Sequence, residues 1–146
     1  MIGIGCDHTA IQLKNIIIQH LQDKGYKVKD FGAFTAERTH YPIYAGLVAK
    51  SITTGECDKG ILICGSGIGI GIAANKVKGI RCVTCSESYS AMMSRQHNNT
   101  NVLSFGARVV GEDVAKQIVD AWLETQYEGG RHQVRVDMIT EMENWE

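Results

Sequence analysis

Short apolar runs alternate with stretches of helical periodicity along the whole chain, and this alternation restricts the fold more than any other feature. Four apolar runs are typical of strands, at residues 2–6, 59–64, 79–85 and 101–106, and residues 26–31 alternate between apolar and polar as a further strand does. The stretches between them, and the C-terminal stretch 131–146, carry apolar residues at helical spacing. Because strands that alternate with helices form a parallel sheet covered on both faces, the order of elements predicts an α/β fold.

The prediction can be made more specific. The run 59–64 is apolar nearly throughout, as a central parallel strand is. A length of 146 residues suits one domain with a sizeable core. We therefore predict a single three-layer domain over residues 1–146, with a five-stranded parallel sheet of the Rossmann or flavodoxin-like type, helices on both faces and a C-terminal helix.

The charge balance restricts the partners that the chain can bind. The formal net charge is −1, whereas proteins that bind nucleic acid or membrane surfaces generally need a basic excess. No apolar run approaches the roughly 20 residues of a membrane span, and the first residues lack the basic and apolar regions of a signal peptide. We expect a cytoplasmic protein that binds neither nucleic acid nor membrane.

Five cysteines are present, an odd number that argues for free thiols rather than a disulfide framework. Cys82 and Cys85 form a Cys-x-x-Cys, but no second pair is spaced for zinc, so we predict no metal site. They lie in an apolar run, where a spacing of three puts their side chains on opposite faces of a strand. We interpret them as buried structural thiols.

The stretch "ILICGSGIGIGIAANK", residues 61–76, joins an apolar run to a helix through four glycines, at Gly65, Gly67, Gly69 and Gly71. Glycine lets a ligand approach the main chain closely, and free N–H groups at a helix start favour negative charge. The same field favours the thiolate of Cys64. That thiolate could attack a carbonyl or take a proton from the carbon beside one, and the N–H groups could hold either resulting oxyanion.

Ligands of parallel sheets bind beyond the carboxyl ends of the strands, and several polar side chains are predicted to lie at this edge. Arginine suits phosphate or carboxylate because its planar fork offers paired donors. The set therefore suits an enzyme acting on a small anionic substrate. Besides Cys64, we expect this rim to contain Asp7, His8, His97, Asn98, Arg108, Arg131 and Arg135.

The same glycines allow a second interpretation. Gly69 to Ala74 fits the dinucleotide pattern G-x-G-x-x-A, and Glu87 follows 18 residues after Gly69. We disfavour it because the pattern usually opens on the first strand of a larger domain. The stretch is not a P-loop, since no Gly-Lys-Ser/Thr closes it.

Several segments, in order, resemble the type B ribose-5-phosphate isomerase family, which includes the galactose-6-phosphate isomerase subunits. They are "GCDH", "AERTHYP", "GILICGSGIGIGIAANK", "CSESYSAMMSRQHNNTNVLSFGARVVG" and "AWLETQYEGGRHQVRV". The resemblance implies an aldose–ketose isomerase that interconverts ribose 5-phosphate and ribulose 5-phosphate through an enediolate, with no metal and no organic cofactor. The residues alone would place a phosphate equally well on the glycine loop.

The resemblance also implies a role for each site residue. Cys64 is the general base, and His97 opens the sugar ring. The loop Gly65–Gly69 stabilises the enediolate through Ser66, Gly67 and Ile68, with Ser66 standing where the family often has threonine. Of the remaining residues, two hold hydroxyls (Asp7 and Asn98), one lines the sugar pocket (Tyr41) and four bind the phosphate (His8, Arg108, Arg131 and Arg135).

The family's sites lie between subunits, so we expect a homodimer or a dimer of dimers, with His97, Asn98 and Arg108 contributed across the interface. We interpret His20, His40 and His132 as surface or structural residues, and Arg38 as the partner of an acid. Three alternatives stay open: an isomerase of allose or galactose 6-phosphate, a dinucleotide-dependent oxidoreductase, and a non-catalytic module that binds sugar phosphates.

Overall fold

The computed structural model describes residues 1–146 and contains five strands and six helices in the predicted alternation. The strands are β1 (Ile2–Cys6), β2 (Val28–Asp30), β3 (Lys59–Cys64), β4 (Cys82–Thr84) and β5 (Val102–Gly106). The helices are α1 (Ile11–Asp23), α2 (Tyr41–Thr53), α3 (Ile68–Asn75), α4 (Ser88–Asn98), α5 (Glu112–Glu124) and α6 (Arg131–Met142). All paired strands are parallel, in the order β2-β1-β3-β5-β4. The predicted α/β fold with a five-stranded parallel sheet is confirmed.

The three central strands are more completely buried than the two edge strands. Every residue of β1 and β5 is buried, as is every residue of β3 after Lys59. The edge strands β2 and β4 each pair over only three residues, so they are shorter than the predicted runs 26–31 and 79–85. Single hydrogen bonds extend the contact beyond each edge strand, from the Phe31 N–H to the Ile4 carbonyl and from the Cys85 N–H to the Ser104 carbonyl.

Helices cover both faces of the sheet, as predicted. On one face, α1, α4 and α5 pack over a core of 18 buried residues that includes Phe105 and Trp122. On the other face, α2 and α3 pack over a smaller core of nine. Helix α6 lies against α4. None of the helices combines the length with the apolar character that crossing a membrane requires.

The ends of three helices are set by local contacts. Helix α3 begins at Ile68, within the run of glycines. Helix α4 is capped by the side chain of Glu87, which accepts a hydrogen bond from the Ser90 N–H at 2.9 Å. Helix α5 ends at Glu124 rather than continuing to residue 130, because the following segment crosses towards α4, where the Glu128 N–H donates to the carbonyl of Gln96.

All five cysteines are unpaired. Cys82 packs against the core beneath α2 and α3, whereas Cys85 belongs to the core on the opposite face, as their spacing predicted. Cys85 is buried and Cys82 is half-buried. Burial raises the pKa of Cys6, Cys82 and Cys85 to about 11, so these three remain protonated at neutral pH.

Candidate active site

The carboxyl ends of three adjacent strands meet around one cavity. In the register of the sheet, Cys6 of β1 lies beside Ile63 of β3, and Cys64 lies beside Gly106 of β5. The segments that follow these strands therefore emerge side by side. They enclose a cavity of about 460 Å³ lined by Asp7, Thr9, Tyr41, Cys64, Gly65, Ser66, Gly69, Arg108 and Val109.

The Cys64 thiol lies at the end of β3, directly before α3. Its sulfur accepts a hydrogen bond from the Gly67 N–H at 3.2 Å. The neighbouring N–H groups of Gly65, Ser66 and Gly69 donate to no group within the chain. Cys64 is thus a thiol at the wall of a polar cavity, beside main-chain donors that favour negative charge.

Two glycines allow the loop to pack on the end of β5, backbone against backbone. Gly67 has a φ of +78°, and a β-carbon placed on it would lie 2.5 Å from the carbonyl carbon of Phe105. A β-carbon on Gly106 would lie 2.6 Å from the carbonyl carbon of Ser66. No side chain fits at either contact, so glycine at both positions fixes where the loop N–H groups lie.

Ser66 and Tyr41 complete the walls of the cavity. The Ser66 hydroxyl accepts a hydrogen bond from the Ile68 N–H at 3.2 Å, so it satisfies one of the free donors at the start of α3. Tyr41, the first residue of α2, lies against Gly69, where a β-carbon would lie 2.7 Å from the tyrosine ring. The glycine therefore allows the aromatic ring to reach the cavity.

A second cavity of about 650 Å³ continues from the first and shares four of its lining residues. Its other lining residues are His8, Arg38, Thr39, His40 and Pro42. His8 is held in place by its Nδ1, which accepts a hydrogen bond from the Thr39 N–H at 3.2 Å. In its neutral form His8 therefore carries its proton on Nε2. Asp7 is fixed by Thr9, whose N–H and hydroxyl both donate to its carboxylate, at 3.0 and 2.6 Å.

Arginine makes this combined cavity suitable for an anion. Arg38 and Arg108 form no salt bridge and no side-chain hydrogen bond within the chain, so the expectation that Arg38 pairs with an acid is wrong. Arg108 lies at this chain's own Cys64 cavity, contrary to the expectation that it comes from another subunit. Four lining residues were not predicted to belong to the site, namely Thr9, Arg38, Thr39 and His40. They flank predicted site residues, and that proximity was the available signal.

Four of the expected site residues lie elsewhere. Helix α4 starts beyond the carboxyl end of β4 and runs back, so its last residues, His97 and Asn98, lie near the amino end of β5. Five residues of strand, about 17 Å, separate this edge from the Cys64 edge. Arg131 and Arg135 lie on α6, near the same end of α4, and are exposed without a hydrogen-bond partner. The prediction that all four share the Cys64 rim is wrong within one chain.

The dinucleotide interpretation loses its geometric basis. Gly69 and Gly71 lie inside helix α3, whereas the pattern needs them in the turn before a helix. The Glu87 carboxylate caps α4, and its hydrogen bonds with Ser90 lower the pKa of that carboxyl. It is therefore engaged at the start of its own helix.

Comparison with known proteins assigns the chain to a family. Residues 2–139 match the family model described as Ribose/Galactose Isomerase. The chain belongs to the ribose/galactose isomerase family. Ribose-5-phosphate isomerase B of Escherichia coli K12 is 61% identical over 142 residues, which cover 97% of this chain and 95% of that protein. The family match therefore includes both the Cys64 cavity and the residues at the opposite edge.

Solved structures of the family agree with the fold. Ribose-5-phosphate isomerase B of Clostridium thermocellum superimposes with a TM-score of 0.96 at 52% identity, covering 97% of this chain and 96% of that one. The enzyme of Mycoplasma genitalium, solved with bound ribulose-5-phosphate, gives 0.94 at 41% identity, covering 99% and 97%. The family resemblance of the sequence and the flavodoxin-like fold are confirmed.

Proposed function

We propose that the chain is an aldose–ketose isomerase that interconverts ribose 5-phosphate and ribulose 5-phosphate. The observation that carries the proposal is the Cys64 sulfur, which accepts the Gly67 N–H at the wall of a cavity that also contains Asp7 and Arg108. The identity of 61% to a ribose-5-phosphate isomerase B, and the ribulose-5-phosphate bound to a relative of the same fold, support the substrate.

The two ends of the cavity bind different parts of the substrate. The phosphate binds at the end lined by His8, Arg38 and Arg108, where two guanidinium groups have no internal partner. The reacting carbons of the open-chain sugar lie over the glycine loop, between Cys64 and Asp7. Tyr41 packs along the sugar, as aromatic rings in sugar sites do. In this proposal arginine binds the phosphate, and the loop N–H groups stay free for the reacting oxygens.

The thiolate of Cys64 takes the proton from C2 of the aldose. The electrons of the C–H bond form the C1–C2 double bond, and the negative charge moves to O1, where the N–H groups of the glycine loop stabilise it. The proton on O2 passes to O1, and the thiol then returns its proton to C1 while the C2 carbonyl forms. Atoms and charge balance, and the thiolate is regenerated for the next turnover.

We further propose that a second copy completes the site with His97, Asn98, Arg131 and Arg135, as a homodimer or a dimer of dimers. Within one chain these residues lie a strand length from Cys64. At that edge Arg131 and Arg135 have no hydrogen-bond partner within the chain, and the His97 side chain is half-exposed, so all three are available to a second chain. Apolar side chains on α3 and α6 also support association: Ile68, Ile72, Val134 and Met138 are all more than half exposed. In the assembled site His97 opens the sugar ring.

A turnover assay tests the reaction. We expect isomerisation of ribose 5-phosphate, with slower or no conversion of allose 6-phosphate and galactose 6-phosphate. Cys64→Ala should abolish both turnover and the exchange of the C2 hydrogen with solvent, while ribose 5-phosphate still binds. Binding without exchange by the unmodified chain would instead identify a non-catalytic module, and near-normal turnover by Cys64→Ala would exclude the thiol as the base.

Mixing two inactive variants tests the shared site. A dimer of one Cys64→Ala chain and one His97→Ala chain contains one doubly altered site and one intact site. Random reassociation of equal amounts should therefore restore about a quarter of the unmodified activity if the dimer is symmetric. Activity that stays at the sum of the separate variants would show that each site uses residues of one chain.

The five unpaired thiols and a phosphorylated substrate are both typical of the cytoplasm, which we propose as the location. Disulfides rarely persist in that reducing compartment. Antibody labelling of fractionated cells would test the location.

A further inference from the structure

Three potential metal ligands meet at the end of α4, away from the Cys64 cavity. They are His97 from α4, His132 from the first turn of α6 and Glu128 from the segment that joins α5 to α6. One ligand atom of each lies within 4.8 Å of the other two. The Glu128 N–H donates to the Gln96 carbonyl, and the His132 N–H donates to the Gly129 carbonyl, both at 3.1 Å. The backbone therefore holds all three residues together.

The His132 ring has an unsatisfied nitrogen. Its side chain is only 8% exposed, and its Nε2 has no hydrogen-bond partner. Oε2 of Glu128 lies 3.4 Å away but does not form a hydrogen bond with it. Buried polar atoms are nearly always satisfied, so this nitrogen indicates that another group completes its environment.

We propose that His97, Glu128 and His132 bind one divalent transition-metal ion of the zinc class. Two imidazole nitrogens and one carboxylate oxygen are a ligand set that zinc accepts, with a fourth position left for water. Two nitrogen or oxygen ligands on one tetrahedral ion lie about 3.3 Å apart. The observed 3.4 Å between His132 Nε2 and Glu128 Oε2 already matches that separation.

The third ligand needs a side-chain rotation. The rings of His97 and His132 are stacked, with centroids 4.3 Å apart and planes inclined by 15°. Stacked rings direct their in-plane lone pairs side by side rather than towards a common point. His97 is half-buried on the last turn of its helix, so its ring can turn out of the stack towards the ion. Metal binding therefore replaces the stack with a chelate.

Binding would have a consequence for turnover, and this part rests on the proposed function of His97. A nitrogen coordinated to a metal can neither accept nor donate the proton that ring opening requires. The ion would therefore act as a reversible inhibitor of the reaction with the ring-closed sugar. The catalytic cycle itself uses no residue of this site except His97.

Cobalt(II) titration of the full-length chain tests the site. Tetrahedral Co²⁺ shows intense visible absorption, and a thiolate ligand adds a separate sulfur-to-metal charge-transfer band. The titration is best made in a Cys64→Ser background, which removes the thiol that lines the cavity. We expect one equivalent to bind with tetrahedral bands and no sulfur band, and Zn²⁺ to displace it.

Variants of the ligands decide the result. Glu128→Gln removes an exposed ligand at little risk to folding and should weaken binding at least about tenfold. His132→Gln should do the same, with circular dichroism and thermal melting to confirm folding. His20→Gln is the matched control, because His20 also pairs with a carboxylate, that of Asp120 at 2.7 Å, but without a third ligand. It should leave binding unchanged.

Absence of the tetrahedral bands, or bands that Glu128→Gln leaves unchanged, would overturn the metal site. An activity measurement separates this failure from that of the proposed function. We expect Zn²⁺ to inhibit the unmodified enzyme, and both EDTA and Glu128→Gln to relieve the inhibition. Stoichiometric binding with unchanged turnover of ribose 5-phosphate would keep the metal site and refute the ring-opening role of His97.

Discussion

Replacing Gly67 by alanine should damage both the stability and the chemistry of the chain. The residue has a φ of +78°, a region that costs an L-residue roughly 1 kcal/mol or more. Its new β-carbon would also lie 2.5 Å from the carbonyl carbon of Phe105, a backbone atom that cannot turn aside. Overpacking of this kind typically costs about 1–3 kcal/mol. For a chain of this size, the two effects together should lower the Tm by roughly 5–15 °C.

The decrease in kcat should be larger than the decrease in stability alone would cause. Relief of the contact with Phe105 requires the loop to move. The free N–H group of the adjacent Ser66 moves with it, as does the Gly67 N–H that donates to Cys64. Misplacing one donor of an oxyanion site lowers kcat by about 10²–10³-fold. We therefore expect Gly67→Ala to fold, to bind ribose 5-phosphate with a similar KM, and to lose at least about a hundredfold in kcat.

Gly55→Ala is the matched control. Gly55 has a φ of +81°, but a β-carbon there would have no atom within 4 Å. It should show the backbone strain alone, a Tm lower by about 2–4 °C, with unchanged kcat. Steady-state kinetics and differential scanning calorimetry on both variants measure the difference. A folded Gly67→Ala protein with kcat within threefold of the unmodified chain would refute the proposed role of the loop.

Three further outcomes can be measured directly. The free energy of unfolding in urea should fall between pH 9 and 11. Burial raises the pKa of Cys6, Cys82 and Cys85 from 9.0 to about 11, and unfolding lets these thiols ionise at the lower pH. A free energy of unfolding that does not change over this range would contradict the prediction. Arg38→Ala should raise KM severalfold and leave kcat nearly unchanged, since Arg38 lines the outer cavity and not the one that contains Cys64. Gly46→Ala, inside α2 with open space around it, should raise the Tm by about 2–4 °C through helix propensity, as a thermal melt would show.

The sequence was informative where structure and chemistry are local. Cys64 ends an apolar run, and glycines at every second position follow it, so the end of the strand and the glycine loop could be predicted from the sequence. The lengths of β2 and β4 could not, because pairing at a sheet edge depends on the neighbouring strand. The end of α5 was missed for a similar reason: its helical spacing continues, and a contact with Gln96 of α4 draws the chain away.

His97 and Asn98 were predicted at the wrong edge of the sheet, although the sequence already contained the information that places them correctly. A helix between two parallel strands must return the chain to the amino edge of the sheet, so the predicted alternation already placed the end of α4 opposite Cys64. The position of α6, in contrast, could not be predicted from the sequence. Nothing in the spacing of its residues predicts that His132 stacks on His97, because the two rings meet only through tertiary packing.

The close approach of Gly67 to Phe105, and of Gly106 to Ser66, has a consequence for protein engineering. The shape of this loop depends on the lack of a β-carbon at Gly67 and Gly106, so copying its side chains onto another scaffold would not reproduce it. A receiving protein must supply a neighbouring strand that ends in glycine, and must leave room for two main chains to touch. Grafting the thiol alone would transfer a cysteine without the surroundings that give it a use.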